Sequence, residues 1–183
     1  AITLLGRLNS TRAADRLQDI LRPYNDQAAD NLALLKQLGT TEGVDGLRIA
    51  IADSNQRIVE MNLQIAAALG YKRVVEHIRR AMESTNRKSR ERAVSALASL
   101  PNRGLVVPLI PLLRYLLAEQ DKLKKRELSD DEIDLLLQRC VESRDPWIAM
   151  AAGQLIITRS EDAESQGEEI DRSEEHTSEL QSP

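Results

Sequence analysis

Arg79, Arg80, Arg87, Lys88, Arg90 and Arg92 form the densest cationic stretch of the chain. Guanidinium and ammonium groups at this density make charge-assisted hydrogen bonds with carboxylates or phosphates. Glu76, Glu83 and Glu91 interleave with them, and no aromatic residue lies in the stretch to stack on nucleic-acid bases. Three readings follow from the residues: a solvated face paired between helices, a docking surface for an acidic protein segment, or a contact for nucleic acid or anionic lipid.

Other groups with chemical potential have plainer explanations. Asp130, Asp131, Glu132 and Asp134 crowd together as an acid–base pair would, yet carboxylates in the first turn of a helix are favoured by its dipole. His77 has no histidine, cysteine or carboxylate at metal-ligand spacing and reads as a surface or packing residue. Cys140 falls on the apolar side of its helix, where a thiol packs as a small hydrophobe. The expectation is a non-enzymatic chain with no catalytic residue, no cofactor and no metal.

The elements that must position these groups recur. Stepping by thirty-one residues carries Leu32 to Leu63 and Val94, Leu38 to Leu69 and Leu100, Val44 to Val75 and Val106, and Leu47 to Ile78 and Leu109. Gly39, Gly70 and Pro101 follow each of the second series as helix stops. A fixed period with two apolar stripes predicts an all-α, α-α superhelix built from short helical hairpins. The units fall near 10–38, 41–69, 72–100, 103–128 and 129–157. The first has Ala14, Leu17, Ile20 and Leu21 on one face, a break at Pro23 and a restart capped by Asn25 or Asp26. Turns are expected at Ser54–Asn55 and at Asn86. Ser129 with Glu132 forms a capping box, and Asp145 with Pro146 gives a further helix start. Asn31 and Asn62 sit at equivalent places beside the inner stripe and are expected to bond between units, a ladder that fails at Ala93.

Bulk composition fits such a scaffold. The chain has 183 residues, a net charge of −4 and no phenylalanine, so the core is aliphatic and any anion site is local. A single cysteine excludes an internal disulfide. The longest apolar run, Leu105 to Leu113, is short and holds Pro108 and Pro111, so no membrane span is expected. The solenoid is placed at 1–158, and the acidic run 159–171 is expected to be disordered. Residues 172–183 look like the in-frame translation of a sequencing adapter, which leaves His176 out of functional reasoning. Ala1 opens within a helical pattern, and the expectation is a fragment of a longer bacterial chain.

Helical pairs of this spacing resemble HEAT-type (armadillo-like) repeats; the tetratricopeptide and ankyrin signatures are missing. AAALGYKRVVEHIRRAMESTNRKSRERAVSALASL (Ala66 to Leu100), LVVPLIPLLR (Leu105 to Arg114) and DPWIAMAAGQL (Asp145 to Leu155) are similar to the soluble HEAT region of bacterial major-facilitator or ATP:ADP-translocase-like membrane proteins. The resemblance implies a right-handed solenoid in the cytoplasmic portion of a membrane transport protein, often beside a cyclic-nucleotide-binding domain. It brings no functional residue with it. The expected role is a protein-interaction scaffold or regulatory region. Nucleic-acid binding through residues 79–92, as in HEAT-like glycosylases, is the alternative, and a repeat-built lyase of the phycobilin type is the second alternative.

Overall fold

The computed structural model describes residues 11–84, 86–100, 103–116 and 128–161, and every regular element among them is helical. The expected artefact at 172–183, most of the acidic run, the stop at Pro101 and most of the stretch after Leu116 lie outside the described residues. The chain divides into two compact units, one of residues 1–42 and 51–127, the other of residues 43–50 and 128–183.

The first unit holds α1 (Thr11–Leu38), most of α2 (Asp45–Ala66), α3 (Lys72–Glu83), α4 (Arg87–Ala98), α5 (Arg103–Val106) and α6 (Leu109–Leu116). Two expected turns are absent. Helix α1 runs straight through Pro23, which is exposed, so the ring and the carbonyl it orphans face water. The buried stripe Leu17, Leu21, Asn25, Ala28, Leu32 and Leu35 keeps helical phase across the proline, and its burial outweighs the lost hydrogen bond. Ile20, expected on this face, is instead exposed, and Ala13 is the buried residue before Leu17.

Helix α2 likewise continues through Ser54 and Asn55, both fully buried. Ile51, Asn55, Ile58, Asn62, Ile65 and Leu69 are spaced four, three, four, three and four apart, a single uninterrupted stripe. Ile58, Ile65 and Leu69 of this stripe share a core with Leu17, Leu21, Ala28 and Leu32 of α1, and polar pairs bridge the two helices. Asn62 Nδ2 donates to Asn25 Oδ1 at 3.0 Å, and Asn31 Nδ2 donates to Ser54 Oγ at 3.2 Å. Asn31 and Asn62 therefore do bond across the expected units, each to a residue other than its own repeat equivalent.

Gly70, expected as a helix stop, breaks the helical run between α2 and α3. Its φ of 102° lies in the left-handed region, within a π-helical segment Ala67–Tyr71 that turns the chain straight into α3. Helices α3 and α4 form the short pair expected at 72–100. From there α4 packs on α6, and both α5 and α6 pack on α1. One core, including Leu17, Leu21, Leu63, Ile78, Leu97 and Leu113, draws on all these helices, the short α5 adding Val106 at its end. In a linear stack each pair touches only its sequence neighbours. Here α6 also packs on α1, so contacts among the described helices of this unit reach beyond sequence neighbours.

The second unit holds Gly43–Ala50, which includes the first turn of α2, with α7 (Asp130–Val141) and α8 over 146–161. The capping box at Ser129 is formed: Ser129 N donates to Glu132 Oε2 at 3.1 Å, and Glu132 N donates to Ser129 Oγ at 3.4 Å. Asp145 Oδ1 accepts from Trp147 N at 3.0 Å to start α8, with Pro146 in the first helical position. The helix includes Arg159, Ser160 and Glu161, three residues beyond the expected solenoid boundary. Arg159 explains the extension, since its guanidinium reaches Asp130 at 2.8 Å and Asp134 at 3.3 Å on α7. No described helix is long and apolar enough to cross a membrane.

Candidate interaction surface

The cationic stretch is carried by the α3–α4 hairpin. Val75, Ile78 and Ala81 are buried along one side of α3, and Ala93, Val94 and Leu97 along one side of α4, which leaves the charged positions outward. The turn between them is fixed by polar contacts. Asn86 Oδ1 accepts from Lys88 N at 3.0 Å and Ser89 N at 3.3 Å, while Asn86 N donates to Ser84 Oγ at 3.1 Å.

The six cations divide by their partners. Arg79 is tied to Glu60 of α2 through Nη2 and through Nε at 3.4 Å. Arg87 holds Glu91 one turn along at 2.8 Å. Arg90 is half-buried, and its Nε is enclosed without a hydrogen-bond partner. Arg80, Lys88 and Arg92 are exposed, and among the described residues no ion pair holds them. Arg73 joins this group. It stands with His77 and Arg80 at i, i+4 and i+7 on α3, all three exposed, and it lies upstream of the dense stretch, so residue density does not reveal it. The helical spacing was the signal that could have found it.

The remaining candidates are occupied structurally. Asp130 and Asp134 receive Arg159, and Glu132 closes the capping box. Cys140 is buried, and desolvation pushes its thiol up, against a smaller opposing effect of Arg139. A thiol held protonated is a poor nucleophile. Among the described residues no three His, Cys, Asp or Glu side chains are grouped as a metal ion would require. An open depression along α2 is lined by Asp53, Gln56, Arg57, Glu60, Met61 and Gln64, and its Glu60 is already engaged by Arg79 and by Gln64 at 3.3 Å. No protein-family model, curated protein or solved structure matches this chain.

Proposed function

We propose that the chain is a non-enzymatic helical interaction module whose α3–α4 hairpin docks an acidic protein segment. One observation carries this reading: Arg80, Lys88 and Arg92 are exposed near the capped turn and Arg73 is exposed at the other end of α3, with no internal ion pair among the described residues. Desolvating such cations against carboxylates of a partner gives specificity and fast association. The nucleic-acid alternative has no Phe, Tyr or Trp side chain on α3 or α4 to support it. The lyase alternative draws no support from the one thiol, which is buried. The finer HEAT assignment rests on the thirty-one-residue recurrence. The proposed setting, beside a membrane transport domain of a bacterial protein, rests on the three similar stretches and is checked by recovering the coding sequence upstream of Ala1.

The direct test is titration of the chain with a Glu-rich peptide, comparing it with the triple variant Arg80→Glu, Lys88→Glu, Arg92→Glu. These side chains are exposed, so the variant should stay within about 1 kcal/mol of the parent in stability. Its affinity should fall at least about tenfold at low salt, where screening is weakest. Equal affinity of the two proteins would remove the hairpin as the docking surface.

A further inference from the structure

One row on the surface of α3 is made only of hydrogen-bond donors. Arg73, His77 and Arg80 follow one another at spacings of four and three, which sets successive members about 5–6 Å apart at Cβ, and all three are exposed. The helix has two acids of its own. Glu76 lies 4.0 Å from Lys72, and Glu83, exposed three residues beyond Arg80, has no ion pair with it among the described residues. Glu60, reaching across from α2, is taken by Arg79 and not by this row. Val75, Ile78 and Ala81 are buried on the inner side of α3, so the backbone that carries the row is held in place. Two guanidinium forks thus flank an imidazole, which donates an N–H whether neutral or protonated.

We propose that this row binds a phosphoryl group carried by the acidic segment, as a phosphoserine or phosphothreonine side chain, and leaves Lys88 and Arg92 to its carboxylates. The inference rests on the docking reading of the hairpin and names a group that the partner carries. A phosphomonoester has a charge of about −1.5 to −2 at neutral pH and three strong acceptor oxygens. Two guanidiniums match that charge, and the imidazole supplies a donor for the third oxygen. A carboxylate has one charge and two oxygens, which a single guanidinium satisfies in bidentate geometry, so it would leave the second arginine without a counter-charge. The phosphodiesters of nucleic acid carry one charge each and fall short in the same way. On α4 the exposed cations Lys88 and Arg92 stand four residues apart as a simple pair, suited to single carboxylates.

The test uses the full chain and three labelled peptides of one Glu-rich sequence, with serine, glutamate or phosphoserine at the central position, read by fluorescence anisotropy. The phosphoserine peptide should bind at least about tenfold more tightly than the serine peptide, with the glutamate peptide close to the latter. Arg73→Gln combined with Arg80→Gln should bring phosphoserine and serine within about twofold of each other, with circular dichroism unchanged because both side chains are exposed. His77→Gln should reduce the phosphoserine advantage several-fold. Replacing both arginines by lysine keeps the charge without the forks and should restore only part of it. Lys88→Gln with Arg92→Gln should weaken all three peptides alike and leave their ratios as they were. Equal affinity for the phosphoserine and glutamate peptides overturns this inference and leaves the docking reading standing. A phosphoserine preference that survives the loss of both arginines overturns the assignment to this row, and displacement of the peptide by inorganic phosphate at equal concentration assigns the row to the free anion instead. Failure of all three peptides to bind overturns the docking reading and this inference together.

Discussion

Asn55 and Asn86 are thirty-one residues apart and Asn25 lies thirty before Asn55, and their surroundings give each a different role. Asn86 caps α4. Asn25 lies inside α1 and accepts from Asn62, which also donates to the Ile58 carbonyl at 2.8 Å. Asn55 is fully buried inside α2 with neither amide atom hydrogen-bonded. A buried amide without partners pays its desolvation with nothing in return, whereas a bonded pair that loses one member leaves the other stranded. Asn55→Ala should therefore leave the urea midpoint unchanged or raised, helped by the better helix propensity of alanine. Asn62→Ala should lower stability by ~1–3 kcal/mol, since Asn25 Oδ1 then has no donor. Equal losses from the two substitutions would show that the Asn55 amide is as well satisfied as that of Asn62.

At the scale of elements, the same repeat position is a turn in one place and a helix interior in another, and proline separates the two. Arg87 is the first residue of α4 and Gln56, thirty-one positions earlier, is inside α2; both are exposed. Proline is tolerated at a first helical position because the missing amide has no helical acceptor there, but an interior proline costs about 3 kcal/mol or more. Thermal unfolding should place Arg87→Pro close to the parent and Gln56→Pro far below it; equal tolerance would mean that α2 breaks at Asn55 after all. This contrast also marks what sequence could supply. Residues such as Leu47, Leu63, Ile78 and Leu97 were readable as core because period and burial coincide, and the turn at Asn86 and the caps at Ser129 and Asp145 were readable because turn and capping signals are local. The turn expected at Asn55 was not there, because an asparagine favours a turn only when the apolar phase breaks beside it, and Ile51, Ile58 and Ile65 keep that phase. The cationic stretch was visible as composition. Its division was not, since the Arg79–Glu60 pair depends on how α3 folds onto α2. The exposure of Trp147, Met150 and Ile157 on α8 was hidden for a related reason: pattern alone marks apolar residues as inward.

For the molecule as a whole, charge is unevenly placed, and that separates an acidic peptide from duplex DNA as partners. Residues 72–98 hold eight Lys or Arg against three Glu, an excess of five positive charges in a chain whose net charge is −4. Everything outside the hairpin is therefore strongly negative. At physiological ionic strength charges interact over ~8 Å, so a short peptide on the hairpin feels mainly the nearby cations. A duplex is longer than the hairpin and carries uniform negative charge, so it also meets the repulsion of the remaining carboxylates. Lowering the salt to ~0.01 M extends that range to ~30 Å. For the peptide this strengthens attraction at the hairpin. For the duplex it brings in the net negative charge of the chain, so the two partners should respond differently as salt is removed. Fluorescence anisotropy with a labelled random-sequence duplex should show no binding tighter than roughly 100 µM at 0.15 M salt, the weak end of non-specific DNA affinity. It should also show little gain as salt falls, while the Glu-rich peptide binds progressively more tightly. Micromolar DNA binding with a steep salt dependence, abolished by the Arg80, Lys88 and Arg92 charge reversals, would transfer the hairpin to nucleic acid.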